Sequence, residues 1–173
     1  MFKGAITAIV TPFKEDGSLD EEALRRLVNF QIENKIDGIV PCGTTGESPT
    51  LDYDEHNKVI EIVIDAVKGK VPVIAGTGSN STKEAIEMTK HAADAGANAS
   101  LQVCPYYNKP TQEGLFRHFS AIAKAADIPL VVYNIESRTG INIETPTLAR
   151  LAKEHSNIVA VKEASGDINQ TQD

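Results

Sequence analysis

Six short runs of Val, Ile, Leu and Ala recur along the chain, each followed by a stretch with helical periodicity. They fall at 5–10, 38–42, 71–75, 99–104, 130–133 and 158–162, about thirty residues apart. Little polar alternation interrupts them, which is the pattern of strands covered on both faces. Regular strand–helix alternation folds as a parallel α/β structure. Two architectures satisfy it, a (β/α)8 barrel and an open doubly wound sheet, and periodicity alone does not separate them. A complete barrel needs two further strands and typically ~250 residues, whereas this chain has 173. One domain is the expectation, since no linker or low-complexity segment divides the sequence.

The segments between the runs carry helix-start chemistry. Ser18 with Glu21, and Ser81 with Glu84, have capping-box spacing, and Asp52 can cap a helix with Glu55 reaching back. Thr145 before Pro146 reads as a cap followed by proline in the first turn. Leu24, Leu27, Val28 and Gln31 mark one helical face, as do Val59, Ile60, Val63, Ile64 and Val67. Gly96 is placed to end the third helix.

Charge and composition exclude several classes of function. A net charge of -7 offers no basic surface for nucleic acid and no attraction to an anionic membrane. No stretch approaches the ~20 apolar residues that span a bilayer. The N-terminal run is broken by Lys3 and Pro12, so no leader is expected, and Cys42 and Cys104 read as free thiols of a cytoplasmic protein. His56, His91, His118 and His155 all fall on predicted helices without metal-ligand spacing, so no metal site is expected.

The candidate chemistry gathers at the C-terminal ends of the runs, where barrels and open α/β sheets both place their sites. Lys162 ends the sixth run, with Ile158, Ala160 and Lys162 on one face by strand alternation. Burial there would lower the amine's pKa, which a nucleophilic lysine requires. The plainer reading has Lys162 snorkelling to solvent or pairing with Glu163, and spacing alone favours it. Tyr133 ends the fifth run and is either a proton relay or a packed tyrosine. Arg138, five residues on, is either a two-point carboxylate anchor or a solvated loop charge. The run 43–48 (GTTGES), with Thr44 and Thr45, suits close approach of an anion or forms an ordinary tight turn; it lacks the P-loop ending. Tyr106 and Tyr107 follow the fourth run. The glycines at 76 and 78 do not continue into a dinucleotide fingerprint.

At these residues the sequence resembles the dihydrodipicolinate synthase family, within the pyruvate-dependent class I aldolases that include N-acetylneuraminate lyase. The matching stretches are AIVTPF at 8–13, GTTGE at 43–47, PVIAGTG at 72–78, PYYNKP at 105–110, YN at 133–134 with SRTG at 137–140, and VKEA at 161–164. Each is weak alone; six in order across the chain are specific, and they decide for the barrel. The resemblance implies that Lys162 forms an imine with pyruvate and needs no other cofactor. It implies Tyr133 as general acid/base with its hydroxyl placed by Thr44, and Tyr107 as the third relay member, inserted into a neighbouring subunit. Thr45 would clamp the pyruvate carboxylate, and Arg138 would anchor aspartate 4-semialdehyde. The product would be 4-hydroxy-tetrahydrodipicolinate, on the route to lysine. Arg138 is what favours a synthase over N-acetylneuraminate lyase or a keto-sugar acid aldolase.

Ser48, His56, Asn80, Glu84 and Tyr106 match the family's pattern for feedback inhibition by L-lysine at a dimer interface, although Tyr53 and Pro49 replace a usual histidine and alanine. Glu136 stands where the family usually has proline. A dimer of dimers is the implied assembly. Because 173 residues give only about six βα units, the expectation is the N-terminal part of one (β/α)8 domain, C-terminally truncated. A non-catalytic lysine-binding or assembly fragment is the remaining alternative.

Overall fold

A computed structural model describes residues 2–172. The described chain follows the order β1 (Ile6–Ala8), α1 (Glu21–Glu33), β2 (Gly38–Val40), α2 (Tyr53–Val67), β3 (Ile74–Gly76), α3 (Thr82–Asp94), β4 (Ala99–Val103), α4 (Gln112–Ala125), β5 (Leu130–Asn134), α5 (Glu136–Thr139), α6 (Thr145–Glu154), β6 (Ile158–Glu163) and α7 (Ile168–Gln172). All six expected strands form; the third is displaced towards Gly76, and the short α5 was not foreseen from the sequence. The chain divides into two compact units, one running to Gly76 with His91–Ala99 added, the other comprising Thr77–Lys90 and the chain from Ser100.

In the first unit β1 and β2 run parallel, with Ile6 opposite Gly38 and Ala8 opposite Val40, and a parallel bridge joins Ile39 to Val73. Leu24 and Val28 of α1, with Val59, Ile60 and Val63 of α2, are buried in the core beneath these strands. The faces marked by helical spacing are therefore the packed faces. α2 begins with the expected capping box: Asp52 accepts from the Glu55 N–H at 2.8 Å, and the Glu55 carboxylate accepts from the Asp52 N–H at 3.2 Å. α1 does not begin where expected. Its cap is Asp20, which accepts from the Ala23 N–H at 2.8 Å, while Ser18 donates to Asp16 at 2.6 Å. An aspartate one residue from the helix outcompetes a serine three away. Gly76 closes β3 against the Cys42 carbonyl, and any side chain there would collide with that backbone oxygen.

In the second unit β4, β5 and β6 are parallel neighbours. The Glu84 N–H reaches the Ser81 hydroxyl at 3.4 Å, but the Glu84 carboxylate accepts from Ser79 rather than closing the box. Thr145 lies inside α6; Glu144 is the capping position and makes no side-chain cap.

A bulge between β5 and β6 changes one expected facing. Leu130 pairs with Ile158, but Val131 pairs with Ala160, so Val159 is the extra residue. Beyond it Val132 pairs with Val161, Tyr133 with Lys162 and Asn134 with Glu163. Cross-strand partners share a face, so Ile158 points with Val161 and Glu163, not with Ala160 and Lys162 as strict alternation predicts.

Candidate active site

The second unit brings Lys162 and Tyr133 together. They are the penultimate residues of β6 and β5, directly paired, and project from the same face. Lys162 Nζ lies 4.1 Å from the centroid of the Tyr133 ring, and Tyr133 is almost fully buried. Lys162 as a residue is exposed, yet its amine turns back over the ring, and burial among protein atoms pushes its pKa below the ordinary 10.5. Among the described residues no carboxylate lies within ion-pairing distance of this amine. The expected alternative, pairing with Glu163, is absent because Glu163 points to the other face, where it accepts from Asn134 at 3.0 and 3.2 Å.

Arg138 sits in the last turn of α5, exposed. The α5 turn is fixed from within: the buried Thr139 hydroxyl approaches the carbonyls of Ile135 and Ile141, each at 2.9 Å, and the Gly140 N–H donates to Glu136 at 2.8 Å. Gly140 has φ +72°, a backbone conformation that glycine adopts without strain. Glu136, at the position of the family's proline, opens this helix.

Tyr107 is 91% exposed, at φ +71°, on the turn after β4. The preceding residue is tied down, since the Asn80 amide donates to the Tyr106 carbonyl at 3.2 Å and the Asn108 N–H does so at 2.9 Å. Glu84 receives the Ser79 hydroxyl at 2.8 Å.

Thr44 and Thr45 belong to the first unit, exposed on the turn after β2. The Gly46 and Ser48 N–H groups both donate to the Gly43 carbonyl, at 3.0 and 3.3 Å, and Thr11 donates to the Gly46 carbonyl at 2.6 Å. Ser48 begins a single turn of 3-10 helix. His56 is buried, with Nε2 2.8 Å from the Gly76 carbonyl, and desolvation lowers its pKa. Among the described residues no three metal-binding side chains converge, and no helix is long and apolar enough to cross a membrane.

Sequence reading missed a polar network behind the lysine. Asn134, fully buried, donates to Asn142 Oδ1 at 2.7 Å as well as to Glu163, and its own Oδ1 accepts from the Ile143 N–H at 3.2 Å. Gln170 of α7 donates to Asn142 Oδ1, the Ile143 carbonyl and Glu163, at 3.2, 2.9 and 3.3 Å. The Ser165 N–H donates to Glu163 at 2.6 Å. The signal available was the register itself: whichever residues follow Tyr133 and Lys162 must also face each other.

Six parallel βα units, matched over 98% of the chain by the two solved structures described below, place it in the (β/α)8 barrel class. The chain belongs to the Dihydrodipicolinate synthetase family, whose sequence model matches residues 1–173. It is 66% identical over 170 residues to a 4-hydroxy-tetrahydrodipicolinate synthase of Geotalea uraniireducens, covering 98% of this chain and 58% of that relative. Two solved structures each match with a TM-score of 0.95 over 98% of this chain and 58% of theirs. They are the chloride-inhibited dihydrodipicolinate synthase of Acinetobacter baumannii complexed with pyruvate, 50% identical, and the Cyanidioschyzon merolae enzyme with lysine bound, 51% identical. The chain thus spans 58% of the length of these proteins.

Proposed function

We propose that these residues serve a lyase that condenses pyruvate with aspartate 4-semialdehyde to 4-hydroxy-tetrahydrodipicolinate, in cytoplasmic lysine biosynthesis. The observation that carries the reading is the Lys162 amine, depressed in pKa and seated 4.1 Å over the Tyr133 ring at paired strand ends. A neutral amine can attack the pyruvate ketone; water leaves as the imine forms, and loss of a methyl proton gives the enamine. The enamine carbon adds to the aldehyde of the second substrate. That substrate's amino group then displaces Lys162 from the imine carbon as the ring closes, so the enzyme is regenerated and no metal is consumed or required.

Tyr133 is the group that moves protons at this carbon, with Thr44 and Tyr107 as the other members of the relay. Thr45 holds the pyruvate carboxylate, and the exposed Arg138 holds that of the aldehyde. The near-complete exposure of Tyr107 suits insertion into a neighbouring subunit of a dimer of dimers. Ser48, His56, Asn80, Glu84 and Tyr106 form the proposed L-lysine site; the lysine-bound relative supports that ligand.

The test is incubation with pyruvate and borohydride, followed by peptide mass analysis. A reduced pyruvyl adduct on Lys162 is expected, and a folded sample with no adduct there refutes the reading. Turnover of aspartate 4-semialdehyde against sugar aldehydes, with and without Arg138→Ala, then decides the substrate. Unchanged selectivity in that variant removes Arg138 from the proposed role and favours another aldolase. Stabilisation by lysine without adduct formation would mark a binding role alone.

A further inference from the structure

Glu163 follows Lys162 directly, and a carboxylate so close to a nucleophilic amine is a hazard. An opposite charge within ~4–6 Å raises an amine's pKa by about 1–3 units and keeps it protonated. The structure keeps that charge elsewhere. Glu163 is turned to the face opposite Lys162, where it lines a cleft with Val161, Leu148 and Gln170, and both its oxygens are occupied. Asn134 is the hub. It lies one residue past Tyr133 as Glu163 lies one past Lys162, so the pairing that brings phenol and amine together on one face brings amide and carboxylate together on the other. Asn142 and Gln170 link hub and carboxylate to each other, with Asn142 donating to Gln170 at 2.8 Å.

We infer that Asn134, Asn142 and Gln170 are positioning residues that hold the Glu163 carboxylate away from Lys162, leaving the amine free to become neutral. The inference rests on the imine-forming reading of Lys162. Burial raises the Glu163 pKa, but hydrogen bonds from Asn134, Ser165 and Gln170 outweigh it and the carboxyl is held below its ordinary value, so the charge being managed is real. The other titratable groups facing the pair are few. Tyr133 on β5 faces Lys162. Cys104, following β4, is buried and near Glu163, and its thiol is pushed up to about 12 by burial and then by that carboxylate, so it stays protonated. Asp167, before α7, accepts from the Asn169 N–H at 2.9 Å. Glu136 and Arg138 on α5 are exposed, and no cation competes for Glu163 among the described ion pairs.

The test measures the pH midpoint of borohydride trapping of pyruvate on Lys162 in this chain and in N134A, N142A, E163Q and the double variant N134A/E163Q. With the carboxylate released, N134A and N142A should move the midpoint up by about one pH unit, slowing trapping about ten-fold near neutral pH. Removing the charge in N134A/E163Q should bring the midpoint back. A network that merely stiffens the strand ends would slow trapping by one factor at every pH with no change in midpoint, and that result overturns the inference. So does a shifted midpoint that E163Q fails to reverse. If N134A does not fold, N142A carries the same measurement, because it removes the network's middle while leaving both strands intact. Absence of adduct in the unaltered chain is a separate failure, of the imine reading itself.

Discussion

Replacing Gln102 by leucine should leave the protein as stable or more so, although the side chain contacts three hydroxyl groups. Gln102 is fully buried in β4, with Nε2 2.8 Å from Thr77, 2.8 Å from Thr89 and 2.6 Å from Ser100. An amide nitrogen has two hydrogens, so the three contacts amount to about two hydrogen bonds, worth ~1 kcal/mol each net. The hydroxyls do not depend on them. Thr89 donates to the Ala85 carbonyl at 2.6 Å, which leaves Thr77 to donate to Thr89 at 2.9 Å and Ser100 to donate to Thr77 at 2.7 Å. Every hydroxyl proton is used without the amide. Gln102 Oε1, by contrast, is buried with no partner, a deficit of ~1–3 kcal/mol that leucine abolishes. Turning the amide over only exchanges which atom is orphaned. Leucine adds ~1 kcal/mol of apolar burial, so the expected change is about 1 kcal/mol of added stability. Thr77→Val is the contrast: it strands the Ser100 proton and should cost ~1–3 kcal/mol. Urea unfolding of the two variants reads both signs directly. A loss above ~1.5 kcal/mol for Q102L, with the cost of T77V no larger, would refute the donor accounting.

Three further outcomes are expected. Tyr133→Phe keeps the ring face beneath Lys162, so borohydride trapping should persist at the same pH midpoint while turnover with both substrates falls ~10²–10⁴-fold, the usual loss when a general acid/base is removed; equal loss in both assays would make the hydroxyl structural. Asp52→Ala breaks the capping box of α2 and should cost ~1 kcal/mol, read as a lower unfolding midpoint, with no change in trapping. His118 is buried, with its pKa lowered by desolvation from the ordinary 6.5 to about 4. Between those values the unfolded chain binds more protons than the folded one, so stability is full above pH 6.5 and falls as pH drops towards 4. The loss is of order 3 kcal/mol at most, and a pH series of thermal melts in which His118→Phe flattens that slope would verify it.

The alternation of strands and helices was legible because burial on both faces leaves little else for a run such as 130–133 to be. The helical faces of α1 and α2 were legible because burial on one side alone imposes a 3.6-residue spacing. What spacing could not give was anything set by choice among near-equal local partners. Asp20 and Ser18 both offer an oxygen to α1, and which one caps depends on two residues of chain length. The bulge at Val159 leaves no mark in composition, yet it reverses the facing of Ile158. Lys162 escaped the error only because its side is fixed by the pairing with Tyr133 beyond the bulge.

The amide network shows why the residues beside a reactive group are harder to read than the group itself. A lysine ending an apolar strand is costly, so the sequence announces it. Asparagine and glutamine are ordinary on any surface, and nothing in Asn134, Asn142 or Gln170 taken singly distinguishes them. Their meaning comes from register. Once Tyr133 faces Lys162, the chain has no freedom to put anything but Asn134 opposite Glu163. A parallel pair of strands therefore carries two linked decisions at its C-terminal end: the chemistry on one face, and the disposal of the neighbouring charge on the other. A leucine in place of Asn134 would keep the apolar run of β5 and still strip the Glu163 carboxylate of its amide partner.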